Sequence, residues 1–367
     1  MKNKFPGPYI FYPVAVFFLF FAAEKISLIP SVKKITQGDA TFLYFDYKDE
    51  LMDEMKVTKD RILSSSNELE RSKKIVVILG SSRLLYFDYS RFKRNFPDRE
   101  LFNFSAPVTA PAYYYYILDS LEKRGVFPDY ILVETDPFQY NDASGAFLKS
   151  NLAYSFDLSF ILRNQELFSN DEISYFLGRW LFASYKYSPD IKKTKKRIQD
   201  PNDPFLRGLY ELDLYQRNNR GAGRSIIPRE NWYERDFATL EFSSRSSIDW
   251  LYSNYTFSQR QLDFLIRTVE KAKSKGAKVV FVRPPASRPL QKILDTDPEL
   301  SPKIKRWEKQ ILDVSDQYSI PYLDLVHHDE FYCNTYVDGA HMSLDCYHPF
   351  MVEVMKKFYF MDKGQNN

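Results

Sequence analysis

The sequence predicts an α/β fold with a parallel sheet covered by helices on both faces, and three observations predict it. Short β-branched runs, KIVVILG at 74–80 and KVVFVR at 278–283, read as strands buried on both sides. Helix start and stop signals fall between such runs, and strands alternating with helices imply a parallel sheet. A lysine-flanked apolar stretch precedes all of them, so the sheet domain is expected to follow a membrane anchor.

In that stretch Lys2 and Lys4 precede an apolar run from Tyr9 to Ala23, interrupted by Pro13. A positive flank before an apolar run is the arrangement of a signal peptide or a signal anchor. The run is shorter than the roughly 20 residues that comfortably span a bilayer. Ile26, Leu28 and Ile29, however, carry the apolar character past Glu24 and Lys25. A cleavage site wants two small residues, and of Phe21 and Ala23 only one is small. Residues 1–30 are therefore expected as an uncleaved signal anchor, with a cleaved signal or a buried core helix as the alternatives. Either export reading places the rest outside the cytoplasm, as the periplasmic part of a single-pass inner-membrane protein. Residues 31–73, polar and mostly helical, read as a membrane-proximal stalk.

Residues 74–360 then form the main domain. The run at 74–80 is its first strand, and 101–105 (LFNFS) and 130–134 (YILVE) are the next. Between the last two, 111–124 reads as a helix stopping before Gly125. Near the C-terminus, Ser258 and Gln261 make a capping box for a helix that ends at Gly276. The strand at 278–283 follows, then a stiff loop at 284–289. Ser301 and Pro302 open another helix as N-cap and first-turn proline. A strand at 321–325 (PYLDL) and a closing helix at 343–360 complete the set. The stretch 138–257, with Trp180, Trp232, Trp250 and a turn at 221–223, breaks the alternation. It reads as a largely helical insertion, either a lid over the strand ends or a subdomain without a role in the site.

Composition narrows the function classes. The 367 residues are 44% hydrophobic, enough for a sizeable core. The 51 basic residues nearly balance the 48 acidic ones, which argues against a nucleic-acid partner. The basic cluster at 192–197 reads as a solvated helix face. The aromatic share of 17% suits a glycan or acyl groove as well as ordinary packing. Cys333 and Cys346 can pair in an exported protein or stay free thiols, and the sequence leaves that open.

Ligands in such sheets sit beyond the carboxyl ends of the strands. There Gly80-Ser81-Ser82-Arg83 follows the first strand, where a sharp turn can expose a serine and aim backbone N–H groups at an oxyanion. Asp338-Gly339-Ala340-His341 lies just before the last helix. A histidine three residues after an aspartate can be oriented by it and leave its other nitrogen free to deprotonate a serine. All four histidines, His327, His328, His341 and His348, fall in this C-terminal segment. His348 reads as a helix-face residue. A zinc site from Cys333, Cys346 and His327 can be drawn, but no CxxC or HxxxH spacing supports it, and no metal or organic cofactor is expected.

GSSR after the first strand and DGAHMS before the last helix resemble the first and last blocks of the SGNH (GDSL-like) hydrolase superfamily. The resemblance covers residues 74–136 and 258–360. It implies a flavodoxin-like three-layer α/β/α fold that hydrolyses or transfers acyl groups, with Ser82 as nucleophile and Asp338 and His341 completing a triad. Asn103-Phe104-Ser105 is similar to the second block, with Ser105 at the oxyanion-hole glycine. The third block's oxyanion asparagine falls on Asp136, an acceptor that repels an oxyanion. That departure leaves several readings. Asp136 points elsewhere or is protonated, Arg83 or Arg283 compensates, or the protein is not a fast hydrolase. Arg283, ending a strand on the same sheet edge, is the expected partner of Asp136.

The anchored topology is also similar to bacterial SGNH-like proteins that assist O-acylation of envelope polysaccharides. The expected function is thus a serine esterase or O-acyltransferase acting on an acylated envelope glycan or lipid, with a membrane acyltransferase as a candidate partner. The alternative is an inactive SGNH-like scaffold that binds envelope glycan or a membrane partner.

Overall fold

The computed structural model describes residues 7–38, 40–200, 202–223, 233–327, 331, 333 and 335–364. Lys2, Lys4, Trp232 and His328 lie outside them. The chain divides into two compact units, one of residues 1–42 with 152–210, the other of 43–151 with 211–367.

The larger unit holds a five-stranded sheet: β1 (Lys74–Leu79), β2 (Arg99–Asn103), β3 (Tyr130–Glu134), β4 (Lys278–Arg283) and β5 (Tyr322–Asp324). The spatial order is β2-β1-β3-β4-β5, and every neighbouring pair is parallel. This is the flavodoxin-like order expected of the resemblance, and it reverses between β1 and β3, where such sheets open a ligand crevice. Register keeps the carboxyl ends level, with Ile78 opposite Asn103, Leu79 opposite Val133, and Glu134 opposite Val282.

Both faces are covered. Val76, Ile78, Leu132, Val280 and Val282 pack with Phe92 of helix Tyr89–Asn95 and with Phe350, Val354 and Phe358 of helix Leu344–Asp362. The intervening Ile75, Val77 and Leu79, equally buried, point by the strand's period of two to the other face. Helices Pro111–Lys123 and Gln259–Ser274 pack together, with Tyr115 against Phe264 and Lys271 bonded to Asp119 and Glu122.

Several boundaries differ from expectation for local reasons. Ser258 caps its helix through the Gln261 N–H, but the Gln261 side chain accepts from the Ala112 N–H, so the capping box is not closed. The supposed loop at 284–289 starts helix Arg288–Thr296, capped by Ser287 with Pro289 in its first turn. Ser301 is the first helical residue rather than the cap, and Asp297 accepts from the Leu300 N–H. Within 31–73, helix Lys48–Ser64 buries Leu51, Met52, Met55 and Ile62, a helical apolar stripe, in the same unit as the sheet.

The smaller unit is helical. Its first helix, Gly7–Glu24, supplies most of a segment from Phe11 to Leu28 long and apolar enough to cross a membrane, and none of that segment is buried. Arg197 ties helix Ile191–Gln199 to the Ile35 and Gln37 carbonyls, while Phe42 stands edge-on to Tyr187.

Candidate active site

β1 ends at Leu79, and the chain turns sharply through Gly80 into a single helical turn at Ser82–Leu84. A Cβ on Gly80 would sit 2.7 Å from Glu134 Oε2 and 2.9 Å from the Leu84 side chain, so only glycine fits. The buried Ser81 donates its N–H to Glu134 Oε2 and its hydroxyl to Oε1 at 2.8 Å. That fixes the turn and leaves Ser82, half-buried, facing out of the sheet edge.

Ser82 Oγ lies 2.8 Å from His341 Nε2, and His341 Nδ1 lies 2.8 Å from Asp338 Oδ2. Asp338 also accepts the N–H groups of Ala340 and His341, each at 2.8 Å, which sets its carboxylate under the ring. With Nδ1 donating to Asp338, Nε2 is the lone-pair nitrogen that can take the Ser82 proton. Burial alone would raise the Asp338 pKa, but His341 and the two N–H groups outweigh it and bring it to about 2. For His341, burial works to lower the pKa, and the Asp338 charge and hydrogen bond override it, so the net shift is upward. The loop is held from outside: a Cβ on Gly339 would lie 2.8 Å from Ser244, and the Cys333–Cys346 disulfide brackets it with a Cα separation of 5.6 Å.

Arg83 locks the strand ends to this loop. The buried guanidinium donates from Nε to Ala340 O (2.9 Å) and from Nη2 to the carbonyls of Pro284 (2.8 Å) and Pro285 (2.7 Å). Its Nη1 forms an ion pair with Asp136, which also accepts from Tyr252 Oη at 3.3 Å. Two expectations are corrected here. Asp136 pairs with Arg83 rather than Arg283, which lies 3.7 Å from Asp324 and 3.9 Å from Glu308 and over the Trp307 ring. Arg83, also expected near the oxyanion, spends four of its five N–H groups on Asp136 and three backbone carbonyls, which leaves a single Nη1 hydrogen.

The second block is also occupied. Asn103 donates to Leu84 O (2.8 Å) and Leu85 O (3.3 Å) and accepts the Ser105 N–H at 2.9 Å. Asn103 thus braces the turn that carries Ser82, and the Ser105 N–H expected at the oxyanion points into that brace. The buried Ser105 Oγ has no hydrogen-bond partner among the described residues.

The sequence places Glu134 at the carboxyl edge of the sheet but assigns it no role, and in the structure it holds Ser81. Burial raises its pKa, opposed by the Arg83 charge and the Ser81 hydrogen bonds. The signal was a carboxylate ending an otherwise apolar strand at the sheet's carboxyl edge. The zinc constellation does not form, since both cysteine sulfurs are in the disulfide. Glu308, Asp324 and His327 bring ligand atoms within 4.8 Å of one another, but Arg283 lies beside two of them. His348 is a helix-face residue whose Nε2 is 3.1 Å from Asn95 Nδ2.

The segments that follow Ser82 and His341 meet where Tyr347 Oη donates to Arg83 O at 2.9 Å. Beyond that contact is a cavity of about 530 Å³, lined among others by Tyr86, Asp88, Arg91, Tyr215, Asp345 and His348. Of the insertion, the part at 211–257 reaches the site through Ser244 and Tyr252, whereas 152–210 belongs to the other unit.

Sheet order and site together define an α/β protein of flavodoxin-like topology with a Ser-His-Asp constellation at the carboxyl edge of its sheet. A family model described as protein of unknown function, DUF1574, matches residues 4–358, and the chain belongs to that family. No curated protein matches it.

Proposed function

We propose that the chain is a membrane-anchored, SGNH-like serine esterase or O-acyltransferase acting on an acylated envelope glycan or lipid from the periplasmic side of the inner membrane. The observation that carries this reading is the continuous relay from Asp338 through His341 to Ser82, with 2.8 Å at each step. In the first half-reaction His341 Nε2 takes the Ser82 proton as Oγ attacks the acyl carbonyl, and the alkoxide leaves with that proton. Water, or a glycan hydroxyl, then takes the acyl group from Ser82 by the reverse proton path. The apolar Phe11–Leu28 segment supports the anchor.

The test is labelling by a serine-directed fluorophosphonate. Labelling of the parent that disappears in Ser82→Ala supports the reading, and an unlabelled, folded parent sinks it. The second reading is an inactive scaffold that binds envelope glycan or a membrane partner such as an acyltransferase. It is favoured by the loss of oxyanion donors at Ser105 and Asp136, since one such donor is worth about 100- to 1000-fold in rate.

A further inference from the structure

We propose that residues 170–187 form a second membrane-contacting element, with the apolar tip of that segment seated in the interfacial layer of the bilayer beside the anchor helix. The inference goes beyond the proposed reaction and rests only on the anchor part of that reading.

Helix Asn170–Leu181 is polarised along its length. Asp171 and Glu172 lie in its first turn, whereas Leu177, Trp180 and Leu181 are exposed at its other end. Phe182 and Tyr185, in and after the bend into helix Ala183–Tyr187, extend the patch, with Trp180 52% and Tyr185 51% exposed. Water is a poor environment for five large apolar or aromatic groups in one place, so such a patch marks a contact surface.

The contact partner follows from what the patch touches. Phe182 stands edge-on to Phe21 of the anchor helix, 6.0 Å between ring centroids. Lys25 donates to Leu181 O and lies 4.3 Å above the Phe21 ring, while the Ser184 N–H donates to Glu24 Oε1 at 2.9 Å. Glu24 and Lys25 are the first charges after the apolar run and lie within about one turn of the end of the Phe11–Leu28 segment, so they mark its headgroup-side end. Patch and anchor therefore meet at the headgroup level, the depth at which Trp and Tyr are enriched and a lysine can reach back to water. A bilayer is the one apolar partner that the anchor necessarily brings to that position. Arg179 stacks on Tyr175 (3.6 Å) and on Tyr185 of the patch (4.2 Å).

The test uses the full-length protein in phosphatidylcholine–phosphatidylglycerol vesicles that contain lipids brominated near the headgroup end of the acyl chains. The parent and Trp180→Phe are compared after flotation. The expected result is brominated-lipid quenching of the parent and loss of most of that quenchable, blue-shifted emission in the variant. Equal lipid quenching of the two proteins, with the difference emission quenched by aqueous iodide instead, would overturn the proposal while leaving the anchor intact. Failure of the parent to float would overturn both the anchor and the interfacial patch. Neither result bears on the Ser82 chemistry, which the fluorophosphonate reads separately.

Discussion

Arg83 and Asp136 form a buried ion pair, their side chains 4% and 3% exposed, at the point where strand order reverses between β1 and β3. In a site read as an acyl-transfer centre, this pair occupies the ground where a hydrogen-bond donor is expected. Asp136→Asn should therefore behave as the removal of a charge partner. Leaving Arg83 uncompensated costs about 3–5 kcal/mol of stability and brings no gain in rate. Denaturant unfolding and initial esterase rate, measured on both proteins, decide this. A faster variant of unchanged stability would place Asp136 at the oxyanion instead.

Fluorophosphonate labelling should depend on each member of the relay to a different degree. Ser82→Ala should abolish it. Asp338→Asn should slow it by about 10⁴-fold, the size of the effect when a serine protease loses the carboxylate that sets the histidine tautomer. Circular dichroism that matches the parent would show that the losses are chemical and not structural.

The pH profile of labelling should rise through a His341 pKa above the ordinary 6.5, because only the neutral ring accepts the Ser82 proton. Asp338→Asn removes the charge that holds that pKa up, so the inflection should move to lower pH. Linkage gives the matching stability signs. The raised His341 pKa contributes stability at low pH that is lost as pH rises through the folded pKa. The depressed Asp338 pKa contributes stability above its unfolded value that is lost as pH falls toward about 2. An inflection that the Asp338 variant leaves in place would argue against the coupling.

Lys48 offers an independent check on the packing of helix Lys48–Ser64 in the sheet unit. Its buried ammonium donates to Asn103 O (2.9 Å) and Gly221 O (3.1 Å), and burial lowers its pKa to about 7. The unfolded chain, with an ordinary lysine pKa, binds more protons between those two values. Stability should therefore rise with pH from about 7 upward, by on the order of a few kcal/mol. Lys48→Met should flatten that dependence in urea titrations at several pH values.

Glu134 should act as a positioning residue. Glu134→Gln keeps one acceptor for Ser81 but cannot take both of its hydrogens. A nucleophile turn displaced by about 1 Å costs on the order of 100-fold in rate. The expected outcome is slower labelling of Ser82 with a His341 inflection lowered only by the lost Glu134 charge, and a shift as large as that in Asp338→Asn would assign Glu134 to the proton relay.

Much of the fold was legible because its signals are local. Short apolar runs marked all five strands to within two residues, β-branched ones at β1, β3 and β4. Asp338 and His341, three residues apart, could be paired by turn geometry alone. Pro284, Pro285 and Pro289 together read as a stiff loop and obscure helix Arg288–Thr296, although Ser287 with Pro289 is itself a helix start. The role of Glu134 is not legible because nothing in YILVE says which neighbour a buried carboxylate will meet.

The sequence by itself determined the strand–helix alternation, the apolar N-terminal segment and the identity of the candidate serine, histidine and aspartate, since each depends on residues close along the chain. Only the tertiary structure decided that Arg83 and not Arg283 neutralises Asp136, and that Ser105 turns its N–H onto Asn103. The sheet's carboxyl edge presents two arginines and several carboxylates within a short distance. Which of them pair is set by the strand register and by backbone carbonyls such as those of Pro284, Pro285 and Ala340, which arrive from distant parts of the chain. A buried guanidinium must satisfy all of its donors at once, and that requirement operates in space rather than along the sequence.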